Sequence, residues 1–364
     1  MPNFRMGWLP DRPDFRDYYI KNIIDDLQIK PITATLKIEN GKQDNDIESL
    51  LKSVDLRQWC SPIEDQGKLD SCTAQAGVAL VEYFERKVMG EYIDASSLFL
   101  YKATRKLMHL TGDTGASIRF TMKAMALFGI PPEEYWPYEI DNFDTEPSAF
   151  CYAYAQNYQS LQYFRLDLPQ FSKEEVLVQI KAFLDAGFPA MFGFTAYSSI
   201  HHQNTGEIPY PTQGEKVVGG HAVVAVGYDD NKSIDNPNYK SSINCPQSHP
   251  TKGAFLIRNC WGKSWGQEGY GWLPYEYVLH GLATDWWSLL KNEWVEEGQF
   301  SSLARDGILL NESSNTKNQK KSDVPVNPQE DIVDDDPAIP KLLSPVNNTK
   351  KKSIKFGTKT ASPK

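Results

Sequence analysis

Asp65-Gln66-Gly67-Lys68-Leu69-Asp70-Ser71-Cys72-Thr73-Ala74 runs from a turn-like segment into the strongest helical pattern of the chain. From residue 72 to residue 89, apolar side chains recur at Ala74, Val78, Val81, Phe84 and Val88. That spacing predicts a helix with one buried face. Gly90 is its natural stop, and Ser71 or Asp70 can cap its start. Cys72 then falls in the first turn, where free backbone N–H groups and the helix dipole favour an anion. Such a place lowers a thiol's pKa and makes a nucleophilic thiolate available near neutral pH.

A chain of 364 residues has room for two lobes around a large core. The net charge of −9 argues against general nucleic-acid binding, which needs a basic footprint. Five cysteines, Cys60, Cys72, Cys151, Cys245 and Cys260, are too few and too scattered for a disulfide scaffold. No paired His/Cys spacing suggests a metal, and no motif calls for a cofactor. The first residues lack an apolar signal segment, and no run is long enough to span a membrane. A cytoplasmic protein without a membrane partner is therefore expected.

Residues 1–53 are set apart by turn residues, aromatics and charges, with a possible strand over 27–38. They read as an extension that wraps the fold or as a short pro-segment that occludes it. Val54-Asp55-Leu56-Arg57 opens the globular region, which extends to about residue 300. Its first part, 54–158, is mainly helical, with further helices expected over 96–110 and 117–128 and a connector over 141–158. Its second part, 159–300, holds a helix announced by the capping box Ser172-Lys173-Glu174-Glu175 and stopped by Gly187. Around that helix lie strand-like runs at 189–196, 216–228, 254–258 and 270–278. The fold class is therefore α+β: a helical lobe followed by an antiparallel, barrel-like β lobe, with the cleft between them as the site. Residues 301–364 have the composition of a disordered tail.

A cysteine nucleophile needs a base, a group to orient that base, and donors for an oxyanion. Of six histidines, His221 stands out because Gly219-Gly220 precedes it and the β-forming run Ala222-Val223-Val224-Ala225-Val226 follows. Asn259, delivered by a strand into Cys260-Trp261-Gly262-Lys263-Ser264-Trp265-Gly266, is an amide able to fix an imidazole tautomer.

The order Gln66, Cys72, His221, Asn259, with the residues around each, resembles the papain-like cysteine peptidases over residues 54–294. The resemblance implies the two-lobed papain-like fold, a polypeptide substrate and a catalytic set of Cys72, His221, Asn259 and Gln66. It implies that Cys72 attacks, His221 is its base, Asn259 orients His221, and the Gln66 amide with the Cys72 N–H holds the oxyanion. Trp261 would cover the His–Asn contact and help form the leaving-group side, binding the substrate together with Gly115, Ala116 and Gly220, and Tyr138 would be a scaffold residue. Thr73 stands where an aromatic is usual, Ala116 where a second glycine is usual, and Leu69 where many members carry a disulfide cysteine. The long inhibitory helix pattern of the family's usual pro-segment is missing from residues 1–53, although autoinhibition by this segment stays open. Residues 230–253 read as a long surface loop. A catalytically silent binding protein, or an acyl transferase or deamidase on the same site, are the alternatives.

Overall fold

The computed structural model describes residues 5–12, 14, 17, 50–159, 161–201, 205–239 and 249–291. The chain divides into two compact units, Met1–Ser313 and Ser314–Lys364. Every described residue belongs to the first unit. The strand expected over 27–38 and the tail over 301–364 lie outside the described residues.

Helix α1, Cys72–Met89, occupies the expected residues and ends on Gly90 in the left-handed conformation. Its burial differs from the amphipathic pattern. Residues 72–84 are all buried, so the helix is enclosed on every side. Gly77 lets α2, Ser97–Leu107, and α3, Ile118–Phe128, pack close on one side of it, since a Cβ there would stand 3.1 Å from Leu100 and from Thr121. The sheet closes the other side. Ser71 is the N-cap residue but makes no side-chain cap; its hydroxyl lies 2.7 Å from the Tyr138 hydroxyl instead. Ser96 and Ser117 do cap α2 and α3, accepting from the N–H of Phe99 and Phe120. The expected connector over 141–158 contains a short helix α4, Ala149–Ala155.

Among the described residues the sheet has seven strands: β1 Ser53–Asp55, β2 Leu161–Arg165, β3 Ala190–Tyr197, β4 Val217–Ile234, β5 Thr251–Arg258, β6 Tyr270–Pro274 and β7 Ala283–Lys291. Their order is β2-β7-β3-β4-β5-β6, with β1 also paired to β4, and all pairings are antiparallel. Helix α5, Lys173–Asp185, carries the full capping box: the Glu175 N–H donates to Ser172 Oγ and the Ser172 N–H to Glu175. Two boundaries shift. The run 270–278 splits into β6 and a short helix α6, Glu276–Leu279. The expected loop over 230–253 is partly strand, since β4 continues to Ile234 and β5 starts at Thr251.

Candidate active site

Cys72 is the first residue of α1, fully buried at the junction with β4. Its sulfur accepts from the N–H of Ala222, Gly7 and Thr73, with Gly7 N at 3.3 Å. Burial nevertheless dominates and pushes the thiol up to about 12. The lowered pKa expected from the helix start is therefore absent in this arrangement, because a covered thiolate would lose its hydration.

His221 enters β4 opposite Phe194 of β3. Its Nε2 lies 2.8 Å from Asn259 Oδ1. The same oxygen accepts from the Cys260 N–H at 2.8 Å, which fixes the amide with oxygen toward the ring. An oxygen only accepts, so Nε2 carries the proton and Nδ1 keeps a lone pair. Nδ1 is buried and has no hydrogen-bond partner. The Trp261 ring is stacked on the imidazole at 4.3 Å between centroids, and Phe194 meets its edge at 5.8 Å. Enclosed in this way, the imidazole is pulled down to about 4 and is neutral at ordinary pH.

Gln66 ties the two walls together. Its backbone N–H donates to Cys260 O at 2.9 Å, and Asp65 bridges to Trp261. Its side chain is fully buried, with Nε2 donating to Leu69 O at 2.7 Å and Oε1 accepting from Cys260 Sγ at 2.9 Å. Tyr138 supports the same loop, donating to Gln66 O at 2.9 Å. Cys72, His221, Asn259, Gln66 and Trp261 thus converge at one place, although they come from a helix start, a mid-sheet strand and two loops.

Gly115, Ala116 and Gly220 also lie here, and residues 5–9 run along them. The Ala116 N–H donates to Gly7 O at 2.8 Å and the Leu9 N–H to Ala116 O at 2.9 Å, a parallel bridge centred on Trp8. The Trp8 N–H donates to Gly220 O at 2.9 Å, and Trp261 Nε1 donates to Arg5 O at 3.2 Å. The Trp8 indole is buried against Gly193 and Gly220. A Cβ at Gly193 would stand 2.0 Å from its Cε2, and one at Gly220 2.9 Å from its Cε3. Beyond it, the Asp11 carboxylate accepts from the Arg119 N–H and from Trp287 Nε1, and Asp17 pairs with the Arg119 guanidinium. Residues 5–9 of the N-terminal segment therefore lie beside Cys72, Ala116, Gly220 and Trp261. Sequence reasoning misses Arg5, Trp8, Asp11, Gly193 and Cys260. An isolated tryptophan or glycine carries no local signal of what it will pack against.

Among the described residues no group of histidine, cysteine or carboxylate side chains is arranged to hold a metal, and no helix is long and apolar enough to cross a membrane. The four described cysteines are free.

The family model described as papain family cysteine protease matches residues 50–294. An uncharacterized peptidase C1-like protein of Acanthamoeba polyphaga mimivirus is 33% identical over 288 residues, covering 77% of this chain and 85% of its own. Procathepsin L of Mus musculus is 26% identical over 241 residues, covering 64% of this chain and 63% of its own. Among solved structures, xylellain, a cysteine protease from Xylella fastidiosa, superposes with a TM-score of 0.58 at 31% identity, over 79% of this chain and 96% of that one.

Proposed function

Because the chain belongs to the papain family of cysteine proteases, we propose that it cleaves peptide bonds with Cys72, His221, Asn259 and Gln66, and that residues 5–9 hold this site latent. The observation that carries the reading is the unpaired lone pair on His221 Nδ1, left by the Nε2–Asn259 hydrogen bond.

In the open site His221 Nδ1 takes the Cys72 proton, and the thiolate attacks the carbonyl carbon of the substrate. The oxyanion accepts from the Cys72 N–H and the Gln66 amide. As the tetrahedral intermediate collapses, the C–N bond breaks and His221 returns the proton to the departing amine. Water, deprotonated by His221, then attacks the thioester and releases the acid and the thiol. Asn259 holds the ring in the productive tautomer throughout, and Trp261 keeps water from that contact.

The same geometry supports latency. Gly7 presents an N–H to the sulfur where a substrate would present a carbonyl carbon, so the segment offers nothing to attack. With the segment in place, the thiol is raised and the imidazole lowered, so both are neutral.

Iodoacetamide labelling followed by peptide mapping, alongside hydrolysis of an unfolded protein substrate, tests the reading. Cys72 is expected to be modified in step with loss of hydrolysis, and Cys72→Ala to be inactive. Hydrolysis that survives Cys72→Ala would overturn it.

A further inference from the structure

We propose that Asp70 and Asp113 form an acidic subsite beside the nucleophile that selects a basic side chain, arginine above all, at the residue preceding the scissile bond. The inference rests on the peptidase reading of the same site and names its substrate class.

The two carboxylates are built into the wall, not scattered on a surface. Asp113 Oδ1 accepts from the Tyr101 hydroxyl at 2.7 Å and from the Asp70 N–H at 2.9 Å. Those two bonds turn Oδ2 outward. Tyr101 is fully buried, and its oxygen also accepts from the Gly115 N–H at 3.1 Å. The acidic wall is thereby fastened to the Gly115-Ala116 edge that pairs with the chain in the cleft.

An arginine already occupies this place. Arg5 puts a terminal nitrogen 3.0 Å from Asp113 Oδ2 and Nε 3.1 Å from Asp70 Oδ1. One guanidinium thus pairs with both carboxylates, its terminal nitrogen donating to Asp113 Oδ2 and, at 3.5 Å, to Asp70 Oδ2, and arginine carries more donors for such a shared pairing than lysine. Without a cation the two like charges oppose one another. Burial and the Asp113 charge already raise the Asp70 carboxyl, while Arg5 lowers it. The wall lies against the nucleophile: a Cβ on Gly7, whose N–H reaches the sulfur, would stand 1.8 Å from Asp70 O. A backbone seated beside the sulfur therefore runs against Asp70, and a long side chain carried on it reaches the two carboxylates as that of Arg5 does.

The test uses the full-length protein and peptides that differ only in carrying arginine, glutamine or glutamate before the cleaved bond. The ratio of two kcat/KM values is independent of the open fraction, which scales both alike. Arginine is expected to be preferred over glutamine by about tenfold or more, the range of a charge-assisted hydrogen bond at a partly exposed site. Asp113→Asn keeps an acceptor for Tyr101 and should bring that ratio toward one, as should Asp70→Asn. Asp113→Lys should favour glutamate over arginine. Equal cleavage of the arginine and glutamine peptides, with a ratio unmoved in these variants, would overturn the subsite. Binding of the same labelled peptides to the Cys72→Ala protein separates the two readings. If the wild type cleaves no peptide but Cys72→Ala binds the arginine peptide more tightly in an Asp113-dependent way, the peptidase reading fails and the subsite stands. Binding without preference overturns the subsite.

Discussion

Replacing Trp8 with alanine should unlock the site. The indole is 7% exposed and lies directly on the backbone of Gly193 and Gly220. Truncating a buried tryptophan to alanine costs about 3–5 kcal/mol in a packed core. At about 3 kcal/mol the docking equilibrium weakens by about 150-fold, since each 1.4 kcal/mol is a factor of ten. If closed molecules outnumber open ones by about 10³, the open fraction rises from about 0.1% to about 13%, and turnover rises about 130-fold. The assay is kcat/KM on a short peptide, read beside the rate at which iodoacetamide labels Cys72, which needs no catalysis. Thermal unfolding run in parallel separates release of the segment from loss of the fold. Gly193→Ala is the complementary perturbation, because its Cβ would clash with the indole while leaving Trp8 itself intact. If Trp8→Ala keeps its melting temperature, and neither labelling nor turnover rises, residues 5–9 do not close the site.

The remaining expectations concern single groups. Asp11 is buried beside Asp285 and is pushed up to about 6 from 3.8, with Arg119 opposing the shift. Its protonated form is thus favoured by docking, so this contribution to latency is full below about pH 4 and is lost as pH rises through 6. Cys72 labelling measured against pH in wild type and Asp11→Asn should diverge over that window; parallel profiles would exclude Asp11 as the cause. Gln66→Ala should lower kcat by about 10²–10³ with little change in KM, and an unchanged kcat would remove Gln66 from the oxyanion site. Glu82 accepts from Ser61 Oγ and the Ala95 N–H, and burial pushes its carboxyl up to about 8. Glu82→Gln should therefore melt close to wild type at pH 7, whereas Glu82→Leu, which strands the Ala95 N–H, should lose about 1–3 kcal/mol in denaturant titration.

Local signals are the legible ones. The 3.6-residue spacing and Gly90 delimit α1, the capping box delimits α5, and the run after His221 marks β4. Other elements escape such a reading, β7, β2 and α4 among them. β7 carries Trp286 and Trp287 side by side and buried, so alternation is lost where both faces are covered. β2 is five residues long, and α4 is a single aromatic-rich stretch between turns. Ser71 looks like a side-chain cap because of its position, yet Tyr138, distant in sequence, competes for its hydroxyl.

Short-range pattern is enough to set the identity and order of the chemical groups: a thiol at a helix start, a histidine entering a strand, an asparagine ending one, and a glutamine before the thiol. It is enough because backbone preferences and capping act within a few residues. The folded arrangement is what lays Arg5, Gly7 and Trp8 across those groups, turns Asp70 and Asp113 toward a guanidinium, and leaves Cys72 and His221 neutral. Each of those outcomes depends on desolvation and contact between segments far apart in the chain, and burial is a sum over neighbours that no local stretch contains.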